Sequence, residues 1–271
     1  DTLLLDPVRV LRGPGHSVQL GAVLINQGVL VGFDDEARQQ ALGLGIKARP
    51  AADQLVAPCL VDPHSVLETP FSGDQETAVS LRHCAAAGGY GQIALLPRSS
   101  SWRDRPERLQ GFSLDQDQTA TVRLHLWGGF SSGGKGDELA PHGDLLEHGA
   151  IGLADDDAMV PAPLLERGLL LGEMGGCPVL VAPRDPTLQG EGLVREGVET
   201  LRAGWPADPV TSETLPLGQV LLLHQRHPER QLRLMNLSTA AAVQQLSGCE
   251  SPPMSSVSWW HLLTDRSMLA S

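Results

Sequence analysis

A histidine can be a metal ligand, a general base or a plain hydrogen-bonding side chain, and its neighbours decide which. His64 follows the apolar run CLVDPHS at what reads as a strand end, where a lone imidazole is by default structural. His224 and His227 stand three apart on a candidate helix and could face one metal. Beside Gln225, Arg226 and Pro228 they read instead as a solvated helix end. Asp155-Asp156-Asp157 follows another apolar run and reads as a helix cap and solvated loop, its carboxylates favouring the next helix N-terminus. Residues 129 to 136, GFSSGGKG, nearly fit the phosphate-binding loop GxxxxGK[ST]. There Gly136 replaces the hydroxyl that must hold magnesium, and Pro141 follows soon after, so this segment reads as a flexible loop. Trp259-Trp260 reads as packing, with an interface anchor as the functional alternative. Cys59, Cys84, Cys177 and Cys249 are widely spaced and form no CxxC pair, so they read as buried free thiols in a reducing compartment.

Residues of this kind act only where a scaffold brings them together. Residues 1 to 57 alternate short apolar runs with turns, and Gln27-Gly28 sits where a hairpin would reverse, so this part reads as a small β unit. From Leu55 onward an apolar strand, a Gly or Asp loop and an amphipathic stretch recur every few tens of residues, which is βα repetition. The expected strands are Gln54–Val61, Gly91–Leu96, Thr121–Trp127, Ala150–Ala154, Pro178–Ala182, Leu232–Leu237 and Ser256–Leu263. Between them Glu76–Ala87 and Leu217–His227 read as helices, the second closed by Pro228, and Gly172 reads as a helix terminator. Seven strands point to a parallel barrel, whose chemistry sits at the strands' carboxyl ends.

Composition narrows the classes. A chain of 271 residues, 41% hydrophobic and 19% charged, can bury a sizeable core. Thirty Gly and 20 Pro against 4 Phe, 5 Trp and 1 Tyr suit an α/β protein with many reversals and exclude a coiled coil. The net charge of −12 repels phosphate backbones and anionic lipid, so neither nucleic acid nor a membrane surface is an expected partner. The opening DTLLLDPVRVL lacks a basic leader, and no eighteen apolar residues run together, so the expected location is cytoplasmic.

The stretch 56–70, VAPCLVDPHSVLETP, resembles the opening strand of the amidohydrolase superfamily, and within it dihydroorotase and its cyclic-amidase relatives. In that family the strand ends Asp-x-His-x-His, two imidazoles gripping one metal, followed by an Arg that holds the substrate carboxylate. Asp62 and His64 match; Val66 stands at the second imidazole and Glu68 at the Arg. GGYGQIALLPRSS resembles the family's GGxTTxxxMPNT, with Arg98 at the substrate-touching Asn. GKGDELAPHGDLLEHGAIGLADDDA resembles the helix and strand that end in the metal-bridging Asp, which maps on to Asp155 or Asp156. CPVLVAPRDPTLQGEG is similar to PVxVHAED, with Ala182 at the ligand His. LRLMNLSTAAAV is similar to hICHVSTAGSV in Leu237, Ser238 and Thr239, with Asn236 at the last ligand His. SSVSWWHLLTD resembles VTPHHLxLTD, with Trp259 and Trp260 over the two His and His261 one place beyond.

The resemblance implies a (β/α)8 barrel over residues 58–271 with a small N-terminal β-sandwich annex over 1–57, and an eighth strand expected beyond residue 271. It implies zinc chemistry that interconverts carbamoyl aspartate and dihydroorotate. Here only His64 and Asp155 remain of the ligand set, whereas catalytic zinc needs about three protein ligands and an open position. Without the metal, hydroxide is not available near neutrality. The expectation is therefore a homologue without metal that serves as a scaffold or regulatory subunit, with aspartate transcarbamoylase or self-association implied by the family. The rivals are an active zinc enzyme, and a small-molecule binding module whose mouth is lined by Glu68, Arg98, Asn236 and Asp155, with Glu68 and Arg98 able to pair.

Overall fold

The computed structural model describes residues 1–67, 76–98, 102–113, 122–155 and 159–270, and the chain forms two compact units, Asp1–Leu60 and Val61–Ser271.

The first unit contains β1 (Thr2–Val10), β2 (Gln19–Asn26), β3 (Val29–Phe33), α1 (Asp34–Gly43) and β4 (Ala48–Val56). Its sheet runs β3-β2-β1-β4, with antiparallel pairs β2–β3 and β1–β2 and a parallel pair β1–β4. The reversal expected at Gln27-Gly28 is a two-residue hairpin in which both residues have positive φ, 49° and 79°, a geometry that matches the twist of the flanking strands. Helix α1 was not expected from the sequence, because DDEARQQALG offers only Ala37 and Ala41 to a core, where they pack with Leu4, Ala22 and Leu24.

The second unit begins in β5 (Leu60–Ser65) and continues through α2 (Ala78–Ala87), β6 (Tyr90–Leu95), α3 (Pro106–Ser113), β7 (Arg123–Gly129), α4 (His142–Glu147) and β8 (Ala150–Ala154). There follow α5 (Ala162–Leu171), β9 (Val179–Val181), α6 (Pro186–Gln189), β10 (Val194–Arg195), α7 (Val198–Ala203) and β11 (Ala207–Asp208). The unit closes with α8 (Thr211–Arg226), β12 (Leu232–Leu234), α9 (Ala240–Ser247), β13 (Met254–Ser255) and α10 (Trp259–Leu263). Seven strands form one curled sheet in the order β13-β12-β9-β8-β7-β6-β5, parallel from β6 to β13, and β10 and β11 form a small parallel pair. This is the expected α/β architecture, an incomplete (β/α) barrel. No described helix is long and apolar enough to cross a membrane.

The strands alternate strictly enough to separate two cores. Ile93, Leu95, Leu124, Leu126, Val179 and Val181 face outward and pack with Leu165, Leu169, Leu217 and Val220 of the helices. Their neighbours Ala94, Leu96, Trp127, Leu180 and Ala182 face inward, with Ala154 and Met235, and form a second, smaller apolar cluster.

Several expected elements shift. The strand expected at Gln54–Val61 spans the end of β4 and the start of β5, because Pro58, which has no N–H to donate, lies in the break between them. Ser256–Leu263 is not a strand: β13 ends at Ser255, and the Ser258 hydroxyl accepts the Trp260 N–H to start α10. Leu232–Leu237 contains only three strand residues, and α8 starts at Thr211 with Pro216 inside its first turns. Thr77 rather than Glu76 caps α2, reciprocally with Ser80. Gly172 ends α5 with φ 71°, as expected. The four cysteines are free but none is buried, and Cys59 and Cys84 are exposed.

Candidate functional site

The carboxyl ends of the seven strands bring together most residues singled out by sequence. His64 lies at the end of β5, and its backbone N–H donates to Asp62 Oδ1 at 3.2 Å. Its Nε2 lies 2.7 Å from Ser256 Oγ. That oxygen already accepts the Asn236 N–H at 3.2 Å, and its single proton has two acceptors in reach, His64 Nε2 and, at 3.5 Å, the Leu234 carbonyl. Whichever of the two carries the proton between them, this contact engages the imidazole at Nε2. Asn236 is exposed and adopts φ 59°, a left-handed conformation that Asn tolerates.

Val66 and Ala182 belong to the inner apolar cluster: Ala182 is one of its buried members and Val66 packs against it. Around them the Trp127 indole N–H crosses from β7 to donate to the Pro63 carbonyl of β5 at 2.9 Å. Arg98 is exposed just beyond β6. Glu68, and with it the expected pairing to Arg98, lies outside the described residues, as do Asp156 and Asp157.

Asp155 corrects the expectation of a solvated cap. It is buried and accepts the N–H groups of Phe130 and Ser131, each at 2.9 Å, together with the Ser131 hydroxyl. Asp104 accepts the Gly133 N–H at 2.7 Å. The GFSSGGKG loop thus presents its amides to carboxylates of its own chain, an arrangement that repels a phosphate.

Two other expectations change. His227 is buried rather than solvated, with Nδ1 3.8 Å from Glu229, whereas His224 Nε2 donates to the Ser251 carbonyl at 3.1 Å, so the two imidazoles do not converge. Trp259 and Trp260 are not core: their rings stack at 4.2 Å and stand 54% and 56% exposed.

A polar cluster that sequence reasoning missed supports the β12 side of the mouth. The Glu213 carboxylate, 2% exposed in the first turn of α8, accepts N–H and hydroxyl groups from both Ser238 and Thr239. Arg195 donates to it at 2.9 Å and also reaches Asp208 at 2.9 Å, Ser212 and the Pro209 carbonyl. Burial pushes the Glu213 carboxyl up, but the Ser238 and Thr239 hydroxyls, the Ser238 N–H and the Arg195 charge outweigh it and hold it below the carboxylate range. The one available signal was the Ser238-Thr239 pair, two hydroxyls and two amides that need an acceptor. Beside this cluster opens a cavity of about 1110 Å³, lined by Ala182, Arg184, Asn236, Ser258 and Trp260 among others.

Zinc requires about three nitrogen, oxygen or sulfur donors aimed at one point. Of the positions that the resemblance assigns, Val66 and Ala182 are apolar, Asn236 is a poor ligand, His64 is bonded to Ser256 and Asp155 is turned to the 130–131 amides. Among the described residues no three His, Cys, Asp or Glu side chains converge to hold a metal. These residues do not fit the family's zinc.

No protein-family model matches the chain. It is 31% identical over 290 residues to a probable dihydroorotase-like protein of Synechocystis sp., covering 98% of this chain and 64% of that protein. A dihydroorotase of Pelotomaculum thermopropionicum is 29% identical over 74% of this chain and 47% of its own length. The chain thus spans less than two thirds of the curated relatives it matches. In fold it resembles the dihydropyrimidinase of Brevibacillus agri, with a TM-score of 0.74 at 16% identity over 100% of this chain and 60% of that one. A D-hydantoinase gives a TM-score of 0.73 at 16% identity, again over 60% of its length. The strand-end motifs, the curled parallel sheet and these relatives agree: the chain is a dihydroorotase-like member of the cyclic amidohydrolase branch of the amidohydrolase superfamily.

Proposed function

We propose that this protein is a non-hydrolytic dihydroorotase homologue that acts as a scaffold or regulatory subunit in pyrimidine biosynthesis. The observation that carries the reading is the inner apolar cluster, in which Val66 and Ala182 pack with Leu96, Trp127, Leu180 and Met235 at the positions where the family places metal-binding imidazoles. A hydroxide nucleophile has no means of formation there near neutral pH. The exposed Trp259–Trp260 stack supports a docking role, since a paired aromatic surface is the type of anchor that protein interfaces use. Aspartate transcarbamoylase is the proposed partner by family analogy, with self-association as the alternative.

The test is elemental analysis of full-length protein purified without chelators and dialysed against zinc, run beside an assay of dihydroorotate hydrolysis. We expect no stoichiometric zinc and no turnover. One or two zinc ions per chain with turnover would establish the active cyclic amidohydrolase instead. Size-exclusion chromatography with purified aspartate transcarbamoylase then tests the partner, and co-elution lost in Trp259→Ala/Trp260→Ala is the expected result.

The cavity of about 1110 Å³ favours a second reading, a binding module for a small molecule beside Asn236. A bound metabolite recovered from the purified protein, and lost in Asn236→Ala, would support it.

A further inference from the structure

The seven-stranded sheet has two edges, β5 and β13, and no described strand pairs with the outer side of either. Such edges leave ladder groups and a strip of core unprotected. Across this gap one hydroxyl reaches three strand ends. Ser256 Oγ lies 2.7 Å from His64 Nε2 at the end of β5 and accepts the Asn236 N–H just past β12. The Ser256 backbone is held at the same time, its N–H donating to the Leu234 carbonyl and its carbonyl accepting the Leu237 N–H, each at 3.0 Å. Ser256 and His64 are 192 positions apart, so no local turn accounts for their meeting.

We infer that Ser256 and His64 form a clasp that holds the first and last strand ends of the open sheet together and, in doing so, withdraws the imidazole from any incoming metal or ligand. The clasp also sets where the chain leaves the sheet for α10, because Ser256 is two residues before the Ser258 cap and three before the Trp259–Trp260 stack. A serine is suited to the position. Its hydroxyl bonds the imidazole and accepts from the Asn236 amide at once, whereas alanine does neither and a longer polar chain would overshoot a 2.7 Å gap. The inference goes beyond the scaffold reading and fails separately from it, since that reading is tested by zinc and partner binding and this one by local opening.

The experiment is hydrogen exchange with mass spectrometry on the full-length protein and on Ser256→Ala, Ser256→Thr and His64→Ala. Loss of one hydrogen bond at the mouth should speed amide exchange about fivefold in peptides covering residues 61–65 and 254–264, with β7 and β8 unchanged. Ser256→Thr should restore the slower rate, and His64→Ala should speed exchange in the same two segments, because both variants remove the bond between the strand ends while His64→Ala leaves the Asn236 N–H bonded to Ser256. Unchanged exchange in those two segments, or a uniform rise through residues 61–270, would overturn the clasp. If Ser256→Ala fails to fold, His64→Ala and Ser256→Thr carry the same comparison.

Discussion

Ser131 donates its backbone N–H to Asp155 Oδ1 at 2.9 Å and its hydroxyl to Oδ2, so one buried carboxylate fastens the loop after β7 to the end of β8. The neighbouring Phe130 N–H joins the same oxygen at 2.9 Å, and the Gly136 N–H donates to Ser131 Oγ at 3.1 Å. The loop is therefore ordered from within. Asp155→Ala would leave the Ser131 amide and hydroxyl without their acceptor, while the Phe130 N–H keeps the Ala154 carbonyl, and we expect it to lower the unfolding free energy by about 2–3 kcal/mol. Urea denaturation checks this; a loss below about 0.5 kcal/mol would show that the carboxylate is not what fastens the loop.

The Glu213 cluster gives a pH dependence whose sign follows from the lowered carboxyl. A group that is harder to protonate when folded adds stability above its unfolded value, and the stability is lost as pH falls through the folded value. With an ordinary value of 4.5 for this carboxyl, stability should be fully present above about pH 4.5 and decline below it. Glu213→Gln should cost about 2–4 kcal/mol at pH 7 and flatten the decline, since Arg195 then keeps only Asp208 as its charged partner. Denaturant midpoints measured between pH 7 and pH 3.5 test both parts, and parallel curves for the two proteins would contradict the assignment.

His142 acts in a different window. Burial pushes its imidazole below the ordinary value of 6.5, against the opposing pull of the Phe130 carbonyl and the Glu173 charge. The unfolded chain therefore takes up the proton first, and stability present above about pH 6.5 should fall as pH drops below it. The imidazole Nε2 is 2.8 Å from the Phe130 carbonyl, and the rings of the two residues lie 4.7 Å apart. His142→Gln retains a donor for that carbonyl but does not titrate. We expect it to remove the slope between pH 6.5 and pH 5 while leaving the Glu213 decline in place; thermal melts across that range decide.

The barrel was legible where apolar runs are short and sharply bounded. Ala150–Ala154 is framed by Gly149 and Asp155 and emerges as expected, and the Gln27-Gly28 reversal follows from two residues that accept positive φ. Helix α10 was not legible, because WWHLL has strand-like composition and the Ser258 cap alone turns it into a helix. The site was readable only in part for a related reason. Val66, Ala182 and Asn236 could be placed through the resemblance, but the hydrogen bonds that decide the fate of His64 and Asp155 come from partners 192 and 24 to 25 positions away. Glu213 is similar: in sequence it is an acidic residue near a helix start, and its partners at 238 and 239 lie across the fold.

The inner cluster also predicts which glycine tolerates a side chain. Gly152 in β8 lies against the Trp127 ring, and a Cβ there would sit 2.5 Å from a ring carbon and 2.5 Å from the Pro178 carbonyl oxygen. Neither neighbour can yield easily. The Pro178 oxygen accepts the Leu153 N–H at 2.9 Å, and Trp127 is anchored through its indole to the Pro63 carbonyl. Gly152→Ala should therefore destabilise by about 1–3 kcal/mol through overpacking. Gly143→Ala is the control: it lies within α4 with nothing within 4 Å of the added methyl, and a helix interior favours Ala over Gly by about 0.5–1 kcal/mol. Opposite signs for the two variants in urea denaturation are expected. A neutral Gly152→Ala would mean that the inner face is looser than its contacts indicate, and that the apolar cluster does not close off the positions where the family binds metal.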